Sequence, residues 1–189
     1  SLSKRDFKRI SDPLSKFGAK FELNKNKNLP LLIIGSNKLK PIKYFEKKGS
    51  AQCKTAVIFV AMRTAGTTEI KAKKSRNHTE LLCKYLNLPV ITKNKKNYDK
   101  IKINKVKSIR PINYNIPSDI SSSAFFIVLT ALSEDSQMTI KNVNINNSRM
   151  GVIYILQKMG AQISLQNKKI YKGEKIADIK IKSAKFLKG

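Results

Sequence analysis

The stretch Gly49-Ser50-Ala51-Gln52-Cys53-Lys54 gathers residue types that a dense anion needs in one place. Glycine lets the backbone pass close to a bound group, and a serine hydroxyl can cap a helix or donate to a ligand. The run that follows, Thr55 to Met62 (TAVIFVAM), is apolar almost all round. That pattern predicts a helix packed on every side rather than along one stripe. The first-turn N–H groups of such a helix point outward at the positive end of its dipole, so the entrance is an anion site in waiting.

The elements around this entrance can be read from spacing and punctuation. Ile10, Leu14 and Phe17 recur at helical intervals, and Gly18 stands as a C-terminal stop. Strands are expected at Lys20 to Leu23, Leu31 to Ile34 and Pro41 to Phe45, ahead of the apolar helix. A strand at Thr67 to Ala72 follows Gly66, then Asn77 and Glu80 take the form of a capping box opening a helix that runs to about Tyr85. Further strands are expected at Val90 to Thr92, Ile101 to Val106 and Ile112 to Ile116.

At Pro117-Ser118-Asp119 the pattern begins again. Asp119 is placed to cap a second apolar helix, Ile120 to Leu132, followed by a strand at Met138 to Val143 and a helix through Arg149 to Met159. Two strands, Gln162 to Leu165 and Ala177 to Ile181, close the chain. Ser50 and Ser122 open equivalent helices, Thr68-Glu69-Ile70 matches Met138-Thr139-Ile140, Asn77 matches Ser148, and Phe17-Gly18-Ala19 is echoed by Met159-Gly160-Ala161. This is an internal repeat of about 70 residues. Buried helices in a repeated α/β unit imply helices inside and sheets outside, the reverse of a doubly wound sheet.

Composition narrows the function classes. The 189 residues carry a net charge of +27, from 39 basic and 12 acidic side chains, with 41% hydrophobic residues. A charge of that size suggests a polyanion partner. However, only six of the basic residues are arginines, and the lysines are scattered with asparagine through loops such as Asn24 to Asn28 and Thr92 to Lys100. Nucleic-acid binders concentrate charge in a stripe with arginine and stacking aromatics, so the scatter reads as a solvated surface and nucleic acid is not the expected partner. Cys53 and Cys83 lie in apolar helical surroundings without metal-ligand spacing and read as core residues of a reducing compartment. No apolar run reaches the about 20 residues that would cross a bilayer, and the cytoplasm is the expected location.

Six ordered motifs carry a family resemblance. Ser1-Leu2-Ser3-Lys4-Arg5, Gly49-Ser50-Ala51-Gln52-Cys53-Lys54-Thr55-Ala56, Gly66-Thr67-Thr68 and Ser75-Arg76-Asn77-His78-Thr79-Glu80 come first. Asp119-Ile120-Ser121-Ser122-Ser123-Ala124-Phe125-Phe126 and Met159-Gly160-Ala161 follow. Together they resemble the EPSP synthase (3-phosphoshikimate 1-carboxyvinyltransferase) family, of the bacterial type with SAQ and SRxHTE. The resemblance runs the whole length of the chain but corresponds only to the middle of the family's polypeptide.

The resemblance implies an α/β fold of repeated βαβαββ units with buried helices and outer sheets, an inside-out barrel or prism of the enolpyruvyltransferase type, here incomplete. Residues 1–116 would be the later part of the N-terminal domain and 117–189 the first unit of the C-terminal domain, with the family's active site in the cleft between the domains. The implied reaction moves the enolpyruvyl group of phosphoenolpyruvate to the 5-hydroxyl of shikimate 3-phosphate. Ser50, Ala51 and Gln52 would contact shikimate 3-phosphate, as would Ser75 and Arg76; Gln52 and Arg5 would reach phosphoenolpyruvate. A guanidinium suits a carboxylate or phosphate better than an ammonium does. Where the family has proline after that arginine this chain has Asp6, which is expected to weaken the site. The family's Lys-Ser motif and its C-terminal acid, base and arginine groups have no counterpart here, so no catalytic residue is assigned and turnover by this chain alone is not expected. No cofactor or metal is implied, the partners are small anionic substrates, and the family is typically monomeric.

Each assignment has a plainer rival. Ser50 can merely cap its helix, Arg76 can be a solvated residue before one, and His78 can be surface; Asp119 reads as an N-cap, Arg149 as a helix start, and the Phe125-Phe126 pair as core. UDP-N-acetylglucosamine enolpyruvyltransferase, the rival within the same fold, needs a cysteine-bearing loop that is not found, since both cysteines fall in helices. A basic nucleic-acid-binding module and an inactive truncated enolpyruvyltransferase are the alternatives of other classes.

Overall fold

The computed structural model describes residues 4–184 and 186–188. The chain divides into two compact units, Ser1–Arg110 and Pro111–Gly189, each with its own core. The motif residues Ser1, Leu2 and Ser3 lie outside the described residues.

In the first unit, helix α1 (Lys8–Ser15) leads through Gly18 into an antiparallel hairpin, β1 (Lys20–Leu23) and β2 (Leu31–Ile34). Then come β3 (Lys43–Glu46), α2 (Ala51–Arg63), β4 (Thr67–Lys73), α3 (His78–Tyr85), β5 (Val90–Asn94) and β6 (Tyr98–Asn104). The sheet order is β3-β4-β6-β5, with β3 and β4 parallel and the other pairs antiparallel. In β4 and β6 side chains alternate between the core and solvent, the signature of a sheet with one covered face. Ile70, Ala72, Ile101 and Ile103 point inward to meet Val57, Ile58, Ala61 and Met62 of α2. Lys71, Lys73, Lys100 and Lys102 point outward.

The second unit repeats the plan with α4 (Ile120–Leu132), β7 (Gln137–Asn144), α5 (Gly151–Lys158), β8 (Gln162–Tyr171) and β9 (Glu174–Lys182), in sheet order β7-β9-β8. A single parallel bridge between Ser118 and Val143 stands where β3 runs beside β4 in the first unit. Both units therefore follow one βαβαββ plan, with the first strand of the second reduced to that bridge. Asp178 on β9 sits between bulges in both neighbouring strands. Its carboxylate accepts the Asn142 N–H at 2.8 Å, Asn167 Nδ2 at 2.8 Å and Lys141 Nζ at 3.2 Å. These bonds hold its carboxyl down at about 2.

The repeat is in a slightly different register from the one the sequence suggested. Ser50 caps α2 by accepting from the Cys53 N–H, and Asp119 caps α4 by accepting from the Ser122 N–H; both helices have 13 residues. Ser50 therefore corresponds to Asp119, and Ser122 to Cys53. No strand forms at 112–116, where Ile116 is 88% exposed and the Asn115 N–H is taken by the Tyr171 hydroxyl. The expected helix from Arg149 begins two residues later, after a 3-10 turn at Asn147–Arg149, and the last two strands are longer than predicted because Lys172-Gly173, both with positive φ, fold them into one hairpin.

The two apolar helices are not covered on every side among the described residues. In α4, Ile120, Ile127 and Ala131 are buried against the sheet, while Phe125 is 79% exposed and Phe126, Leu129 and Leu132 are exposed with it. The expectation that Phe125 and Phe126 are core is overturned: they lie on the side of α4 turned away from β7 and β9. A sheet covers only the helix face laid on it, and no described element covers the other.

Candidate functional site

At the start of α2, Gly49 has φ 71°, and a Cβ there would stand 3.1 Å from the Lys74 carbonyl oxygen. Only glycine fits this left-handed turn and close approach, which brings the helix entrance against the segment joining β4 to α3. Ser50 then accepts the Cys53 N–H at 3.2 Å, which leaves its hydroxyl proton available as a donor. The plainer reading of Ser50 as a cap is therefore correct, and it is compatible with a ligand role.

A groove of about 470 Å³ opens on this entrance. Ala51, Gln52, Thr55, Ala56 and Phe59 form its α2 wall. Arg76, His78 and Thr79 close it from the other side. The Thr55 and Thr79 hydroxyls are 2.6 Å apart and link α2 to α3. Three of the sequence-predicted residues, Ala51, Gln52 and Arg76, thus share one groove. Ser50 lies one residue before that wall and Ser75 one residue before Arg76; the Ser75 hydroxyl oxygen is buried with no hydrogen-bond partner. Among the described residues the Arg76 guanidinium has no hydrogen-bond or ion-pair partner, so its five donors are open to an anion.

Arg5 is exposed and outside the groove wall, one turn before α1. Its neighbour Asp6 accepts the Lys8 N–H at 2.7 Å, so this carboxylate serves the entrance of α1, where negative charge is favourable. Arg9, which the sequence reading passed over, donates from Nη2 to Gln52 Oε1 at 3.0 Å. A guanidinium can only donate, so the oxygen of the amide must face Arg9 and its NH2 is directed elsewhere, as a donor. Arg5 precedes α1, so no helical spacing ties it to Arg9, and no local pattern in the sequence pointed to the Arg9 contact.

The capping box expected at Asn77 and Glu80 does not form. Asn77 makes no side-chain cap hydrogen bond, and Glu80 turns inward to Lys54 at 2.6 Å. A buried ammonium attracts a carboxylate more strongly than an exposed backbone N–H does. Cys53 and Cys83 are buried free thiols; burial, with Glu80 nearby, pushes the Cys83 thiol up to about 11. Among the described residues no cluster of His, Cys, Asp and Glu could hold a metal ion, and no helix is long and apolar enough to cross a membrane.

The equivalent entrance in the second unit is occupied by its own cation. Arg149 pairs with Asp119 at 2.7 Å and bonds the Ser121 hydroxyl, which lies where Gln52 lies in the first unit. One entrance is self-neutralised and the other is open.

A family model for EPSP synthase (3-phosphoshikimate 1-carboxyvinyltransferase) matches residues 1–187. The chain belongs to the EPSP synthase family. The 3-phosphoshikimate 1-carboxyvinyltransferase of Caldicellulosiruptor saccharolyticus is 42% identical over all of this chain and 44% of its own length. That of Bartonella henselae is also 42% identical, over 43% of its length. The solved EPSP synthase of Acinetobacter baumannii superposes with a TM-score of 0.83 at 37% identity, over the whole chain and 42% of that structure. The enolpyruvyl transferase NikO of Streptomyces tendae, at 13% identity and a TM-score of 0.67, shares the fold. The chain therefore spans less than half the length of these relatives, and its α/β architecture is an incomplete version of the EPSP synthase fold, without a closed barrel.

Proposed function

We propose that this chain carries the shikimate 3-phosphate side of a site that transfers the enolpyruvyl group of phosphoenolpyruvate to the 5-hydroxyl of that substrate. The observation that supports it is the open Arg76 guanidinium facing the Ala51-Gln52 wall across one groove, at the N-terminus of a capped helix. A phosphate monoester placed there meets a planar cation, the Ser50 hydroxyl at the adjoining cap, and the positive end of α2. Gln52, its amide turned by Arg9, orients the ligand without adding charge, and together with Arg5 it reaches phosphoenolpyruvate. On this reading residues 1–116 are the later part of the family's N-terminal domain and 117–189 the opening unit of its C-terminal domain, in a monomeric cytoplasmic enzyme.

Enolpyruvyl transfer also moves protons, which requires an acid and a base within hydrogen-bond reach of the reacting atoms. The groove wall contains neither a carboxylate nor a lysine, and its one imidazole, His78, is a single group where the transfer calls for an acid and a base. Binding without turnover is the consequence for the 189-residue chain.

Titration calorimetry of the chain with shikimate 3-phosphate tests this. Saturable binding at physiological salt, weakened at least about tenfold by Arg76→Ala, is expected, because a hydrogen bond to a charged group contributes about 1.5–3 kcal/mol. Binding to duplex DNA that is tighter and falls steeply with salt, with no response to shikimate 3-phosphate, would establish the polyanion-binding reading instead.

A further inference from the structure

Lys54 is a lysine with no exposed surface, set near the start of a helix whose following residues, Ala56 to Met62, are all apolar. Its Nζ lies 2.6 Å from Glu80 Oε1, itself only 6% exposed, and donates to the Arg76 carbonyl at 2.9 Å. Burying both charges is costly, and two well-packed apolar side chains would form the same helix contact at less expense. The second unit makes this point with the same chain. Counted from the caps, Ser123 holds the place of Lys54 in α4, and it satisfies itself by donating to the Asp119 carbonyl of its own helix. The helix and its sheet contact therefore form without a lysine.

What Lys54 adds is a hold on the turn that carries Arg76. The first unit's entrance is fixed to this turn at two points: the close approach of Gly49 to the Lys74 carbonyl, and the ammonium of Lys54 on the Arg76 carbonyl. The Arg76 side chain, by contrast, is not tied to any described residue. A guanidinium on a free turn would lose its orientation toward Gln52, whereas a backbone anchored one bond from its Cα leaves only side-chain rotations to settle on binding. Glu80, in the first turn of α3, neutralises the ammonium and draws α3 to the same point.

We propose that Lys54 is a positioning residue of the anion groove, clamping the Arg76 carbonyl so that the Arg76 guanidinium and the Ser50-Ala51-Gln52 entrance face each other at fixed separation. The clamp is a statement about the unliganded chain; its effect on affinity rests on the function proposed above, and the two are measured separately.

The carbonyl that Lys54 holds belongs to the peptide bond an arginine-specific protease attacks, so native-state cleavage after Arg76 reports the clamp directly. The variant is Lys54→Met with Glu80→Leu, which removes both charges and leaves no uncompensated carboxylate; thermal unfolding verifies that it folds. Expected is cleavage after Arg76 that is at least about tenfold faster relative to cleavage after the exposed Arg5 in the same molecule, and affinity for shikimate 3-phosphate reduced by at least about tenfold. A folded double variant whose cleavage after Arg76 keeps the wild-type ratio to that after Arg5 overturns the proposal. Accelerated cleavage in the variant, joined to a wild-type chain that does not bind shikimate 3-phosphate, upholds the clamp and overturns the function. Accelerated cleavage with undiminished affinity overturns the positioning role.

Discussion

Ser50 caps α2 with its oxygen, and the proposed function asks its hydroxyl proton to serve a ligand as well. Its oxygen accepts the Cys53 N–H, and its proton remains to be donated. Two substitutions separate these roles. Ser50→Ala removes both and is expected to lower unfolding free energy by about 1 kcal/mol in a denaturant titration. Ser50→Asp caps as well as serine, so stability stays within a few tenths of a kcal/mol, yet its carboxylate faces the bound phosphate and should abolish measurable binding of shikimate 3-phosphate. If both variants bind as the wild type does, Ser50 is a cap only. Asp6 belongs to the same scale: its carboxylate is engaged by the Lys8 N–H rather than by Arg5.

The α4 helix carries two apolar sides, of which the sheet takes one. Ile127 is fully buried and Phe126, the residue before it, is 55% exposed. Ile127→Ala is therefore expected to cost about 2–5 kcal/mol, and Phe126→Ala to stay within about 0.5 kcal/mol, both read from equilibrium unfolding. Equal losses would mean that both sides of the helix are packed in solution. In β9, Asp178 fastens the bulges of two neighbouring strands. With its carboxyl held at about 2 against an ordinary 3.8, the unfolded chain takes up the proton first as pH falls. Its contribution is complete above about pH 4 and disappears by about pH 2, so unfolding midpoints measured across that window should fall less steeply in Asp178→Asn than in the wild type.

For the molecule as a whole, charge and chemistry diverge. A net charge of +27 raises the local concentration of any anion, but the groove that could select one anion is built from one arginine, one amide and a helix end. Since that groove offers a single imidazole, His78, and no carboxylate or lysine to complete an acid–base pair, the 189-residue chain given phosphoenolpyruvate and shikimate 3-phosphate is expected to release no phosphate above the uncatalysed rate. A steady-state phosphate-release assay showing turnover would mean that the chain supplies proton-transfer groups from outside the groove.

The sequence alone determined what local rules govern. Cap, period and punctuation put α2, α4 and the first two strands at their observed places, and the motif order gave the family, because capping and amphipathic spacing act within a few residues. The tertiary structure decided what depends on distant partners. Ile112 to Ile116 has strand composition but no described strand beside it to complete a ladder, so it stays irregular. Glu80 had the spacing of a capping residue, yet the buried ammonium of Lys54, 26 positions earlier, outweighed the backbone N–H of Asn77. The capped helix entrance at Gly49 to Lys54 was legible from residue types; that Arg9 turns the Gln52 amide, that Arg76 stands open across from it, and that Lys54 bonds the intervening turn are facts of packing between segments that no local pattern encodes.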